Sequence, residues 1–387
     1  MKKVLLLTMG MFTLGFDAYV IAGLLPDIRA TFHMSDAQTG QAVTVFTLCY
    51  ALAAPFFATL LAGKPLRTIL VLALAVFTLG NGITALAWDI PSFFISRAVA
   101  GVGAGLFSPL AASAAVSLVV KEKSGRALGL TLGGMSIGTV AGVPLGLMIA
   151  DFAGWQGTLW VITALGFSAM IGIASWMPRF PATAPPPLRE RLAMITHRQV
   201  AMVVGITFIA STASLGLYTY ITTILEQFAN IHSHTPYIWA WGIGGVVGSL
   251  SIGTLIDRTG RPKVLMLWLL SILALSMFSL SFATNAPFFA FVPIFLWGAM
   301  GWASLAPQQQ ALLAIQPEHG PTTIALNSSA NYLGSSVGSM LGGAALFAGL
   351  SPTYLPIAAG MLILLAVLGQ WMIVGKQRDF RMDQTVD

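Results

Sequence analysis

Apolar runs long enough to cross a bilayer recur along nearly the whole chain, and this feature decides what the chain can fold into. A helix needs about 20 mostly apolar residues to span the hydrocarbon core. Runs of that kind begin near Val4, Gln38, Arg67, Pro91, Gly125 and Gly157, and again near Gln199, Pro236, Val264, Pro287, Thr322 and Tyr354. Of the 387 residues, 56% are hydrophobic and only 8% are charged, whereas soluble domains carry roughly 25% charged residues. A soluble fold of this size cannot hide so much apolar surface, so the bilayer must solvate it. The expectation is an all-α membrane protein with twelve transmembrane helices. Lys2 and Lys3 precede the first run as they would in a signal peptide. The run from Val4 to Leu25 is too long for a signal core, however, and Asp17 interrupts it, so it is read as the first helix.

Between the sixth and seventh runs lies a stretch rich in arginine and proline, including Pro178, Pro181, Pro185, Pro186 and Pro187. Proline-rich segments act as stiff spacers. The expected organisation is therefore an N-terminal bundle of six helices over residues 1–177, a linker over 178–198, and a C-terminal bundle over 199–387 with a short tail. The two halves resemble one another. Gly138, Gly142 and Gly146 lie 196 residues before Gly334, Gly338 and Gly342, and Pro91 and Gly105 share that offset with Pro287 and Gly301. A near-constant offset points to a duplicated six-helix unit and hence to two pseudo-symmetric bundles, the organisation with which transporters rock around a central site.

The basic residues give the orientation. With the N-terminus placed in the cytoplasm, alternate loops and both tails collect all but two of the 19 Lys and Arg residues. Only Arg29 falls on the outer side, and Arg97 lies inside a span. By the positive-inside rule this favours an even number of spans with both termini cytoplasmic. The formal charge of +6 sits in short clusters between apolar runs rather than on one basic face, so no nucleic-acid partner is expected. The single cysteine, Cys49, excludes an internal disulfide framework and a Cys-based metal site.

Asp17 is the only acidic residue deep inside a span. A carboxylate in hydrocarbon costs several kcal/mol unless it meets a wet cavity, a partner or a proton. It is read either as a proton carrier or as one half of a structural ion pair. Arg97 is the natural partner. Asp17 is eight residues from the outer end of its run and Arg97 six from the outer end of its own, which puts both roughly 9–12 Å below the boundary. The loop Gly253 to Lys263, with Asp257, Arg258 and Arg261, is the most specific local pattern and is read as a conformational latch. Its N-terminal copy is degenerate, with Ala62 in place of the acid. Gly134, Gly138, Gly142 and Gly146 make a groove on the fifth helix for close approach of another backbone, and Pro144 removes a donor there. Asn327, Asn331, Ser335 and Ser339 form one polar stripe on the eleventh helix, facing a cavity or a neighbouring helix. Thr13, Gln41, Tyr218, Tyr220, Asn327 and Asn331 make up the substrate-binding set. Gln308, Gln309 and Thr223 are further polar candidates. Trp239 and Trp241 are read as members of the interfacial aromatic belt.

These motifs resemble the major facilitator superfamily and, within it, the twelve-helix drug:proton antiporters. Arg97 to Gly105 (Arg-Ala-Val-Ala-Gly-Val-Gly-Ala-Gly) looks like the family's helix-four motif, whose arginine is implicated in proton coupling. The glycine run ending at Pro144 and Gly146 looks like the antiporter motif of helix five, and Gly253 to Lys263 is similar to the cytoplasmic loop signature. Phe16 to Pro26, Gly40 to Phe46, Tyr50 to Pro55, Gly154-Trp155 and Leu326-Asn327 resemble the sugar, arabinose, purine and chloramphenicol efflux branch. Gln156 departs from it, standing where an arginine often follows the tryptophan. The resemblance implies the major facilitator fold in a bacterial cytoplasmic membrane, in which Asp17 and Arg97 couple protons, Asp257, Arg258, Arg261, Gly138, Gly142 and Pro144 gate, and small molecules such as drugs, sugars or nucleosides are exported.

An importing proton symporter or facilitator is the competing reading. An enzyme fits poorly, because His33, His197, His232, His234 and His319 all fall in loops or span ends. No phosphate-cradling loop is present to support direct ATP drive. A monomer is expected, without cofactor or metal, driven by the proton gradient.

Overall fold

The computed structural model describes residues 2–60, 64–120, 124–178, 194, 196–228, 233–283, 287–317 and 320–383. Most of the linker and Ala62 lie outside them. The described chain is helical in the order α1 (Lys2–Phe32), α2 (Asp36–Leu60), α3 (Leu66–Ala85), α4 (Ile90–Ser117), α5 (Ser124–Ile137), α6 (Val143–Trp176), α7 (Arg198–Tyr218), α8 (Ile221–Leu225), α9 (Thr235–Thr259), α10 (Pro262–Ser281), α11 (Phe291–Ala303), α12 (Leu305–Ile315), α13 (Gly320–Phe347) and α14 (Leu355–Asp383). Only helices and closed barrels satisfy every backbone polar group inside lipid, which accounts for an architecture made of helices.

Nine stretches among the described residues are long and apolar enough to cross a membrane. One of them, Gly129–Trp176, is 48 residues long and turns at Gly154, whose φ of 68° breaks the helix in two. It therefore supplies two crossings. The 25-residue α2 and the 28-residue α13 supply two more, which gives twelve. Two compact units emerge, Met1–Leu188 and Arg189–Asp387.

Glycines set the closest contacts inside each unit. In the first, Gly134 meets the Thr8 backbone, Gly138 meets Phe12 and Gly142 meets Phe16, all on α1. In the second, Gly334 meets Phe208 and Gly338 meets Thr212 on α7. A Cβ at any of these positions would collide with the neighbouring helix. The separation along the sequence is the same for every pair, so each unit seats its first helix on its fifth in the same parallel register. This is the duplication made physical. The backbone of Gly138–Gly142 widens into a π-turn just before Pro144, which has no N–H to donate to a preceding carbonyl.

Candidate functional site

Asp17 lies midway along α1 with no exposed surface, and Arg97 on α4 is 1% exposed. They are the only charged side chains buried among the described residues. Arg97 Nη1 donates to Asp17 Oδ1 at 2.9 Å, and Nη2 reaches Oδ2 at 3.5 Å. Asn81 of α3 bridges the pair. Its Oδ1 accepts from Arg97 Nη1 at 3.2 Å, while its Nδ2 donates to Asp17 Oδ2 at 3.4 Å and to the Phe77 carbonyl at 3.2 Å. The guanidinium carbon stands 4.4 Å from the centroid of the Phe46 ring on α2, within cation–π range. Arg97 Nε makes no hydrogen bond.

Four helices thus converge on one ion pair, and the packing explains why. Gly101 and Gly105 on α4 lie against the Phe46 and Tyr50 carbonyls of α2, Gly103 lies against the Phe77 backbone of α3, and Gly80 of α3 lies against Ala100. The glycines after Arg97 let α4 sink between α2 and α3, which brings Phe46 and Asn81 onto the guanidinium. Ser96, immediately before Arg97, accepts a 2.9 Å hydrogen bond from Thr84 of α3. The helix opens on a reciprocal cap: the Ser92 N–H donates to Asp89 Oδ1 at 2.9 Å and the Asp89 N–H donates to Ser92 Oγ at 3.2 Å. That bonding holds the exposed Asp89 carboxyl below its usual pKa.

Depth matching in the sequence brought Asp17 and Arg97 together; it did not find Asn81. The available signal was a lone amide inside the third apolar run. Thr13, one turn before Asp17, is fully buried and donates to the Met9 carbonyl of its own helix. Gln41 is partly buried and donates to the Ala37 carbonyl. The Gly154 turn points Trp155 inward, where it packs on Phe32 and Phe93 and donates to Thr31 Oγ1 at 2.9 Å.

The second unit carries its own polar seam. Thr207 donates to Asn327 Oδ1 and Ser211 to Asn331 Oδ1, each at 2.6 Å. Both pairs are 120 residues apart, so α7 and α13 run parallel. The polar stripe of α13 faces a neighbouring helix at these two asparagines, and their amide oxygens are already engaged. The Tyr220 hydroxyl donates to the Ser339 carbonyl at 2.7 Å. Tyr218 stacks on Trp241 with centroids 4.1 Å apart, and Trp297 donates to Ser214 at 2.8 Å. Trp241 is 2% exposed and belongs to this aromatic cluster, not to an interfacial belt. Its facing partners, Tyr218 and Trp297, come from distant stretches of sequence. Trp239, two residues earlier, is exposed.

Asp257, Arg258 and Arg261 are exposed around the turn between α9 and α10. Gly260, with φ of 60°, ends α9 by donating its N–H to the Ile256 carbonyl at 2.8 Å. The left-handed geometry there suits glycine.

The family model of the Major Facilitator Superfamily matches residues 7–339. The chain belongs to this superfamily. It is a membrane transporter, and its fold is that of the family. An inner membrane transport protein of Escherichia coli, YdhP, is 28% identical over 379 residues, covering 96% of each chain. A chloramphenicol resistance protein of Streptomyces lividans is 26% identical over 308 residues, covering 77% of each, in keeping with the efflux branch that the motifs resemble. The partially occluded, inward-open xylose transporter XylE of Escherichia coli superposes with a TM-score of 0.74 at 18% identity, covering 96% of this chain and 98% of that one. At that identity the match speaks for the fold alone.

Proposed function

We propose that the protein is a proton-coupled exporter of small molecules in a bacterial cytoplasmic membrane, with both termini inside. The observation that carries this reading is the buried Asp17–Arg97 pair, the only charged pair inside either bundle among the described residues. Buried ionisable groups in membrane proteins are costly and mark ion pathways. A proton arriving at Asp17 removes the negative charge that holds Arg97. The guanidinium then keeps Phe46 and Asn81 as partners, and α1 is released from α4. The proton is given up when α1 and α4 close again. Asn81 positions both groups through each exchange.

Gly138, Gly142 and Pro144 form the pliant point of the fifth helix, where α5 passes into α6 against α1, and Asp257, Arg258 and Arg261 act as a latch at the cytoplasmic surface. Thr13, Gln41, Tyr218, Tyr220, Asn327 and Asn331 supply hydrogen bonds or ring faces to a drug, sugar or nucleoside, the asparagines through their amide N–H groups. The efflux direction is supported by the resemblance to the efflux branch and by the chloramphenicol resistance relative.

The test is efflux by Asp17→Asn in proteoliposomes under an imposed pH gradient, with substrate-dependent proton movement recorded alongside. Substrates come from an accumulation screen of antibiotics, sugars and nucleosides. Loss of both signals in a variant that still elutes as a single species is expected. Wild-type efflux with an intact proton signal would remove Asp17 from the mechanism. Active uptake against a gradient in right-side-out vesicles would instead favour the importing symporter.

A further inference from the structure

The second unit contains a cavity of about 510 Å³, lined by α7, α10, α12 and α14. That is within the roughly 300–1,000 Å³ of small-molecule sites. It is built from the second unit alone, whereas the Asp17–Arg97 pair belongs to the first. At one end lie Gln199 and Lys263, in the first turns of α7 and α10, and Ile315, the last residue of α12. At the other end lie Ile206, seven residues further along α7, and Gln308, seven residues back along α12, each about 10 Å deeper at 1.5 Å per residue. Between them the wall is apolar, with Met202, Val203, Met266 and Ile373 among its residues.

Two polar features make this more than a packing gap. Gln308 is 3% exposed and lines the cavity, and its Oε1 has no hydrogen-bond partner. A buried acceptor left unmade costs about 1–3 kcal/mol, so a donor belongs there. At the shallow end Lys263 brings an ammonium, and no carboxylate is among the described residues that line the wall. Gln370 donates to the Lys263 carbonyl at 2.8 Å and fixes that turn in place.

We infer that this cavity is a binding site for an elongated amphipathic organic anion. The occupant presents its acid group to Lys263 at the mouth, an apolar body to the methionine and isoleucine wall, and a hydroxyl or N–H to Gln308 Oε1 at the deep end. A lipid acyl chain has no donor to offer at that depth, and an inorganic anion has no apolar body. The inference concerns binding and stands apart from the proton-coupling proposal.

The test uses full-length protein in detergent and two probes, para-hydroxyphenylpropionate and phenylpropionate, titrated by calorimetry at neutral pH. The hydroxylated acid is expected to bind about fivefold more tightly, the effect of one buried hydrogen bond. Gln308→Met is expected to bring the two affinities together, and Lys263→Met to weaken both by about tenfold, as loss of a charge-assisted contact would. The comparison of two ligands in the unaltered protein needs no variant to fold. Equal affinities there, no binding of either acid, or a hydroxyl preference retained in Gln308→Met would each overturn the assignment.

Discussion

Arg97 Nη1 stands 2.9 Å from Asp17 Oδ1, with both side chains sealed from solvent and carried on helices that pack through glycine. Removing one partner of a buried pair strands the other charge and costs about 3–5 kcal/mol. The two single variants are expected to differ in kind. In Arg97→Leu the stranded carboxylate can be neutralised by a proton, whereas in Asp17→Asn the guanidinium stays charged at any accessible pH. Thermal melts should show the Arg97→Leu deficit shrinking as pH falls and the Asp17→Asn deficit holding. The double variant should be more stable than the sum of the single losses allows. Additive losses with the same pH dependence would show that the pair is not coupled.

Asn81 touches both members of the pair and one backbone carbonyl. Asn81→Leu removes these contacts while filling the space, and is expected to lower stability by about 1–3 kcal/mol. The loss should shrink in the background that already lacks both Asp17 and Arg97, because the amide then keeps only the Phe77 carbonyl as partner. If Asn81→Leu costs the same in both backgrounds, its role is packing.

Asp17 and Arg97 were legible because a charge inside an apolar run is an anomaly that counting residues can place. The number of crossings was legible for the same reason. The chain also foretold that Gly138 and Gly142 would receive another helix, although it did not say which. Asn81, Thr207 and Ser211 were not legible as partners. A neutral polar residue in an apolar helix is common, and what gives each its role is a residue on another helix. Trp241 was misplaced for a related reason. An interfacial tryptophan and a buried one look alike in sequence, and only Tyr218 stacked on its ring separates them.

Thr207 and Asn327 form the strongest test of whether the α7–α13 seam is structural alone. Thr207 also donates to the Val203 carbonyl at 3.1 Å, so it keeps a partner when Asn327 is lost. Interhelical hydrogen bonds in membrane proteins average about 0.6 kcal/mol. Asn327→Leu should therefore melt close to the unaltered protein. If its amide N–H also holds substrate, efflux should fall well beyond what that small loss of stability explains. Efflux falling only in step with stability would confine Asn327 to the seam.

The two glycine grooves invite a paired comparison. Gly138→Ala sets a methyl against the Phe12 carbonyl, and Gly338→Ala sets one against Thr212 and Gly216. Backbone cannot swing aside as a flexible side chain can, so α1 must separate from α5, and α7 from α13. Overpacking of this sort costs typically 1–3 kcal/mol. Gly129 and Gly133 are the controls, for a Cβ there meets nothing within 4 Å. Replacing a helical glycine by alanine where space is open gains up to about 1 kcal/mol from backbone entropy. Opposite signs are thus expected along one stretch of helix: Gly133→Ala neutral or stabilising, Gly138→Ala destabilising. If Gly338→Ala matches Gly138→Ala while both controls rise, the duplicated unit uses one packing rule twice. Should Gly138→Ala melt no lower than Gly133→Ala, the close seating of α1 on its fifth-helix groove would be wrong.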